Sequence, residues 1–347
     1  MNMQTWAPKL LLSALPAVLL PCQALANSLT LTPDGVADGF TLSNFATTNP
    51  GNTGCCSGPF GIAVTSSGNI LVNTGAGRAY LFNDSDGQTT ASALSSRSSN
   101  SSTNAYATAG GQAYGTQNGS YVQFTAAGTV DHVLTGVTAT PYLGMWGNPV
   151  NGHILAASYS GIIDIDPLAN GGAGSFRLVN TAYPDGVTVS PDGLTVYAEV
   201  GGQIVGYNIA TGAQTFASGN LSGLSGADGS GIISSSNSLN GDIVINFNGN
   251  GYNTGGIGLL DPNTHLFTVL ATGGTRGDYV SPDTTNGTLF LDYSDTVERL
   301  SCGPDCSIGG LPPSPNPSPI PEPGTFALLG TGLSFLSAAV RRQRSKA

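Results

Sequence analysis

The chain is 347 residues long with a formal charge of −10, and only 9% of its side chains are charged, against 50 glycines and 21 prolines. Soluble domains are typically about a quarter charged, so polarity here rests on Ser, Thr, Asn and Gly, which excludes coiled coils and helix bundles built on charged periodic faces. A hydrophobic content of 39% excludes bulk disorder, and five arginines (Arg78, Arg97, Arg177, Arg276, Arg299) against nineteen acids between residues 27 and 309 exclude a nucleic-acid surface.

In chain order, Lys9, the apolar stretch Leu10 to Leu20 and Ala24-Leu25-Ala26 read as a secretory signal peptide over residues 1–26, cut by signal peptidase after Ala26. The apolar stretch is far shorter than the ~20 residues of a membrane span. Pro21 in front of Cys22 argues against a lipoprotein site. Export places the remainder in an oxidising space.

A lone strand, Gly39 to Phe45, comes next, followed by Cys55-Cys56. From there the body, residues 27–309, repeats. Pro59-Phe60-Gly61-Ile62-Ala63-Val64, Leu143-Gly144-Met145-Trp146, Asp185-Gly186-Val187-Thr188-Val189, Gly231-Ile232-Ile233 and Gly277-Asp278-Tyr279-Val280 each open a run of short strands broken by Gly, Asn or Pro-Asp. The leading glycines from Gly144 onward are 42, 45 and 46 residues apart, and the first gap of 83 holds two periods. The hidden unit shows an outer hairpin, Tyr121 to Phe124 and Val130 to Leu134, with the stretch Ser92 to Asn104 replacing or lengthening its beginning.

A period of 40–50 residues made of short, turn-punctuated strands is the signature of a β-propeller, whose sheets are apolar on both faces and must stack into a ring. The prediction is an all-β, six-bladed propeller. Its last unit supplies only three strands, ending at Val297 to Leu300, so Gly39 to Phe45 is expected to complete that blade. Cys55, Cys56, Cys302 and Cys306 flank this seam, and a disulfide joining the first pair to the second is expected to staple it, with local pairing as the alternative.

After a Pro-rich linker, residues 310–320, the segment 321–347 reads Pro321-Glu322-Pro323, an uncharged run from Gly324 to Val340, then Arg341-Arg342-Gln343-Arg344. This arrangement resembles the PEP-CTERM sorting domain. The resemblance implies transient membrane anchoring by a short apolar helix, processing by an exosortase near the triplet, and display at the envelope or outside a Gram-negative cell that makes exopolysaccharide. The Gly186 to Tyr197 pattern resembles the hairpins of NHL, YVTN and SMP-30/gluconolactonase-type propellers.

Candidate chemistry is sparse. His132, His153 and His265 lack companions at metal spacing, and no nucleophile elbow or phosphate loop is present. Asn83 to Gly87 looks like half a calcium loop but reads better as a turn. No catalytic residue is nominated. The best candidates are Asp185, Asp228 and Asp278 at the start of innermost strands, with Phe60, Leu143, Ser230 and Arg276 at the other starts. Converging carboxylates there could hold a divalent cation such as calcium, as the gluconolactonase resemblance implies. The expected function is a non-catalytic surface or matrix-associated binding module, with exopolysaccharide or surface components as partners. A metal-dependent lactonase is the alternative.

Overall fold

The computed structural model describes residues 29–52, 58–99, 105–249 and 255–310. The signal peptide with Ala24 and Ala26, Cys55, Cys56, most of the linker and the Pro321-Glu322-Pro323 tail lie outside the described residues.

Six sheets, each built on a four-stranded antiparallel blade, surround one axis, and five of the blades take their four strands in chain order. Blade one runs Pro59–Val64, Ile70–Thr74, Arg78–Phe82 and Ser95–Ser98; blade two Ala107–Ala109, Gln112–Gln117, Ser120–Phe124 and Val130–Val133. Blade three holds Pro141–Gly147, Ile154–Ser158, Gly161–Asp166 and Ser175–Asn180; blade four Val187–Val189, Thr195–Val200, Gln203–Asn208 and Gln214–Ala217. Blade five is Ala227–Ser235, Ile243–Phe247, Gly255–Leu260 and Phe267–Gly274. Blade six takes Gly277–Pro282, Leu289–Tyr293 and Thr296–Ser301 from the C-terminal side, and its outer strand is Thr41–Thr47.

The chain is therefore a six-bladed propeller closed by its N-terminal strand. Thr30–Leu31 covers the outer edge of blade five, and Gln88–Thr89 caps Thr41–Thr47 in parallel, so both sheets that meet the chain start have covered edges.

Burial falls from the axis outward. Pro59–Val64, Ile70–Thr74, Gly277–Pro282 and Leu289–Tyr293 are buried throughout, whereas Ser95–Ser98, Val130–Val133 and Gln214–Ala217 contain no buried residue. Near the axis each sheet is covered on both faces by its neighbours; at the rim the blades splay apart. This gradient corrects one expectation. The Ser-rich stretch supplies the outer strand of blade one, and blade two begins after it with strands of Ala, Thr and Gln.

Close approach at the axis requires glycine in blades three and four. A Cβ on Gly144 would stand 2.7 Å from the Cα of Gly186, and the Gly144 N–H donates to the Asp185 carbonyl at 3.0 Å. In blade five the glycine beside the axis is Gly229, not Gly231, and blade six has Tyr279 there.

The disulfide staple is overturned. Cys302 is bonded to Cys306, with Cα atoms 5.7 Å apart, across a turn where Gly303 and Asp305 take positive φ. Gly58, at the start of blade one, packs on Ser294 at one end of the strand Thr296–Ser301. Cys302 follows the other end. After the turn, Cys306–Ile308 pairs with Ile233–Ser235, the far end of blade five's innermost strand.

The ionic contacts of Arg299 take over at the seam. It lies between Phe45 and Phe290, with ring centroids 5.1 and 4.8 Å away, and binds Asp283 at 2.8 Å, Asp86 at 3.0 Å, and Asp84. Asp84 and Asp86 belong to the segment Asn83 to Gly87, which the sequence reads as a turn. They tie blade one to blade six.

Candidate acidic mouth

All innermost strands run in the same sense, so their first residues gather at one end of the axis. Four of them have an irregular register there: around Phe60, Tyr142 to Gly144, Asp228 and Asp278-Tyr279. Bulges of this kind re-aim side chains, and here they accompany the convergence of Asp228, Asp278 and Tyr279 on the axis. The Tyr279 hydroxyl donates across the mouth to Asp185 at 3.2 Å, and its ring packs on Phe60 at 5.8 Å. Below them the axis holds a void of only 10 Å³, about one water probe at most. The ring is plugged, not a pore.

Asp185, Asp228 and Asp278 are thus brought together, and Arg276 joins them. Its guanidinium lies 3.4 Å from Asp278 and 4.0 Å from Asp228. Asn248 donates its amide to Asp228. Glu199, in the second strand of blade four, is buried below Asp185 and accepts from the Ser230 hydroxyl at 2.5 Å, while its other oxygen, Oε2, has no hydrogen-bond partner. Deeper still, both carboxylate oxygens of Asp292 are buried without partners.

Burial dominates the acid–base behaviour. It pushes Asp228 up to about 8, aided by repulsion from Asp185 and Asp278 and opposed by Asn248 and Arg276. It pushes Asp278 up to about 7 against the attraction of Arg276, and Glu199 up to about 7 against the Ser230 hydrogen bond. Asp185 is also raised by burial, less so because Asp228 and Tyr279 hydrogen-bond to it. Asp292 is driven well above the carboxylate range by burial, with Asp278 adding to the shift. Near neutral pH the mouth is a set of carboxyl groups sharing protons around one guanidinium.

A divalent cation does not fit this arrangement. Hard cations need several oxygens free to turn toward one point. Here Glu199 bonds Ser230, Asp228 bonds Asn248, Asp185 takes Tyr279, and the guanidinium already provides the positive charge. Among the described residues no three acidic, His or Cys side chains are grouped to hold a metal.

The histidines lie elsewhere. His132 contacts Asp131, His153 contacts Asp164, and His265 reaches the Ser218 carbonyl. A larger cavity of 800 Å³ opens at the opposite end of the axis, walled by turns such as Asn148–Gly152 and by Ser307–Gly310. Its one acid, Asp283, is held by Arg299.

Sequence reasoning missed Glu199 as a member of the mouth. Its position follows from the hairpin in which the Glu199 N–H donates to Gly186 O and the Asp185 N–H to Glu199 O. It also missed Tyr142, Tyr159 and Tyr183, which pack together above blade three with ring centroids 5.1, 4.4 and 6.3 Å apart. Tyr142 could have been noticed, since it precedes Leu143-Gly144 at a strand start.

Residues 319–344 match the family model described as the PEP-CTERM protein-sorting motif. The chain carries a PEP-CTERM sorting motif. That motif implies exosortase-mediated processing and association with the cell envelope. Among the described residues no helix is long and apolar enough to cross a membrane. No curated protein sequence matches the chain. Among solved structures, a gluconolactonase from Xanthomonas campestris is similar over 78% of this chain and 93% of its own, with 15% identity and a TM-score of 0.56. A provisionally named gluconolactonase is similar over 82% of this chain and 99% of its own, with 13% identity and a TM-score of 0.52. At such identities the likeness shows the fold: the body of this PEP-CTERM protein is a gluconolactonase-like six-bladed propeller.

Proposed function

We propose that the protein is exported through a signal peptide over residues 1–26, sorted through Pro321-Glu322-Pro323, and serves as a non-catalytic binding module at the cell surface or in the surrounding matrix. The observation that supports this reading is Arg276. A hydrolytic propeller of the lactonase type needs an exchangeable cation at its mouth to polarise a carbonyl. In this chain a tethered guanidinium stands among the carboxylates, 3.4 Å from Asp278. It cannot open a coordination position, whereas it can donate hydrogen bonds to a bound ligand.

The test is metal analysis of the purified mature chain, with calcium titration followed by melting temperature and a lactone-hydrolysis screen in calcium and in chelator. The expected result is no stoichiometric metal, no calcium-dependent stabilisation and no turnover. One tightly bound divalent ion per chain together with calcium-dependent lactone hydrolysis would overturn the reading in favour of the enzyme.

A further inference from the structure

We propose that Tyr142, Tyr159 and Tyr183, with the cleft beside them, form a binding platform for a neutral saccharide. This deepens the binding-module reading and rests on it. The three tyrosines come from separate segments: the start of the strand Pro141–Gly147, the turn between Ile154–Ser158 and Gly161–Asp166, and the connection from blade three to blade four. Local sequence therefore does not force them together, yet their rings touch.

Tyr159 is 62% exposed and Tyr183 48%. Clustered exposed aromatics mark interaction surfaces more often than isolated exposed side chains do. Tyrosine also offers a rigid, amphipathic contact at low entropic cost.

Tyr142 and Tyr183 continue into a cleft of 350 Å³ whose other walls include Asp185, Glu199, Asp228 and Arg276. That volume sits at the small end of ligand sites. Within it lies a second, independent observation. Glu199 is only 3% exposed, faces this cleft, and keeps Oε2 without a partner. A buried polar oxygen without a side-chain partner is costly, and a ligand hydroxyl bonded to this carboxyl group would relieve part of that cost.

The chemistry selects the ligand class. An aromatic platform receives the C–H face of a pyranose ring, while adjacent carboxyl groups and a guanidinium accept from and donate to its hydroxyls. An anionic sugar would meet three acids and one arginine on a chain of charge −10. A cationic sugar would meet the Arg276 guanidinium within the cleft.

The experiment uses the mature chain and titration calorimetry against cellohexaose, maltohexaose and mannohexaose, with oligogalacturonate and chitosan oligomers as anionic and cationic counterparts. Binding to at least one neutral hexaose is expected. Tyr159→Ala and Tyr183→Ala should each weaken it about tenfold or more at unchanged melting temperature, while Tyr159→Phe retains it. No neutral hexaose bound at millimolar concentration, preference for either charged oligomer, or wild-type affinity in both alanine variants would each overturn the proposal. Lactone turnover with tyrosine-dependent binding intact would refute only the non-catalytic reading, so the two failures are distinguishable.

Discussion

Replacing Arg299 with leucine should loosen the ring at its seam. Arg299 is 9% exposed, its guanidinium lies between Phe45 and Phe290, and it is the shared partner of Asp283, Asp84 and Asp86. Asp283 is 1% exposed and would be left as a buried acid without its counter-ion. Removing one member of a buried pair costs about 3–5 kcal/mol. The lower end applies here, because Asp84 and Asp86 are more exposed and rehydrate, and because Asp283, already raised by burial, can take up a proton. At about 2 °C per kcal/mol for a body this large, the melting temperature should fall by roughly 6 °C. Calorimetry measures that shift, and hydrogen exchange localises it: amides of Thr41–Thr47 should lose protection before those of blade three. The double variant Arg299→Leu/Asp283→Asn should recover part of the loss by removing the orphaned charge. An Arg299→Leu protein melting within 2 °C of the parent, with Thr41–Thr47 still protected, would refute the assignment of Arg299 as the seam's lock.

Stability should fall as pH rises from 5 to 8. Asp228, Asp278 and Glu199 hold their protons to about 8, 7 and 7 in the folded state, whereas unfolded carboxyls release them near 4. The folded state thus binds more protons across this window, and each one retained lowers stability by about 1.4 kcal/mol per pH unit. Asp228→Asn should flatten the slope; a melting temperature that is level or rising from pH 5 to 8 in the parent would contradict the protonated mouth. Non-reducing peptide mapping should recover Cys302 linked to Cys306 and no peptide joining either to Cys55 or Cys56. A loop this short is worth only about 2 kcal/mol in the chain-entropy model, so Cys302→Ser/Cys306→Ser should lower the melting temperature by only a few degrees. Mass spectrometry of the exported protein should give a start at Asn27 and an end near Pro321–Pro323; an intact Arg341–Arg344 tail on released protein would contradict the sorting assignment.

The ring was legible where turn chemistry and β-branched strands recur together, as in Asp185 to Tyr197, and where a strand stood without a partner, as at Gly39 to Phe45. Blade two was half hidden because Ala107–Ala109 and Gln112–Gln117 carry small and polar residues, which fit where neighbouring blades already press close. The cysteine staple failed because closeness to the seam along the chain was taken for closeness in space. One strand length separates the start of blade one from Cys302, and the turn at Gly303 and Asp305 sends the chain toward blade five. At the mouth, acids on the innermost strands could be read from their repeat position. Glu199 could not, since cross-strand pairing brings it to Gly186. Nor could the tyrosine cluster, which depends on how three connections fold over one blade.

Closure by the N-terminal strand also sets the order in which the molecule can assemble. Ala46 bonds Thr296 across 250 residues, so a strand near the start of the body must wait for one near its end. Folds dominated by such distant pairings form slowly, and unpaired strands invite association in the meantime. The waiting strand, Thr41–Thr47, carries Leu42 and Phe45 among Thr, Ser and Asn, and the helical turn Pro33–Ala37 with Thr30–Leu31 anchors it to blade five, which precedes the strands of blade six in the chain. Assembly can therefore proceed in two stages: docking of the chain start on a finished neighbour, then insertion of the final three strands beside it. Both stages are complete by Ser301, before the sorting tail begins.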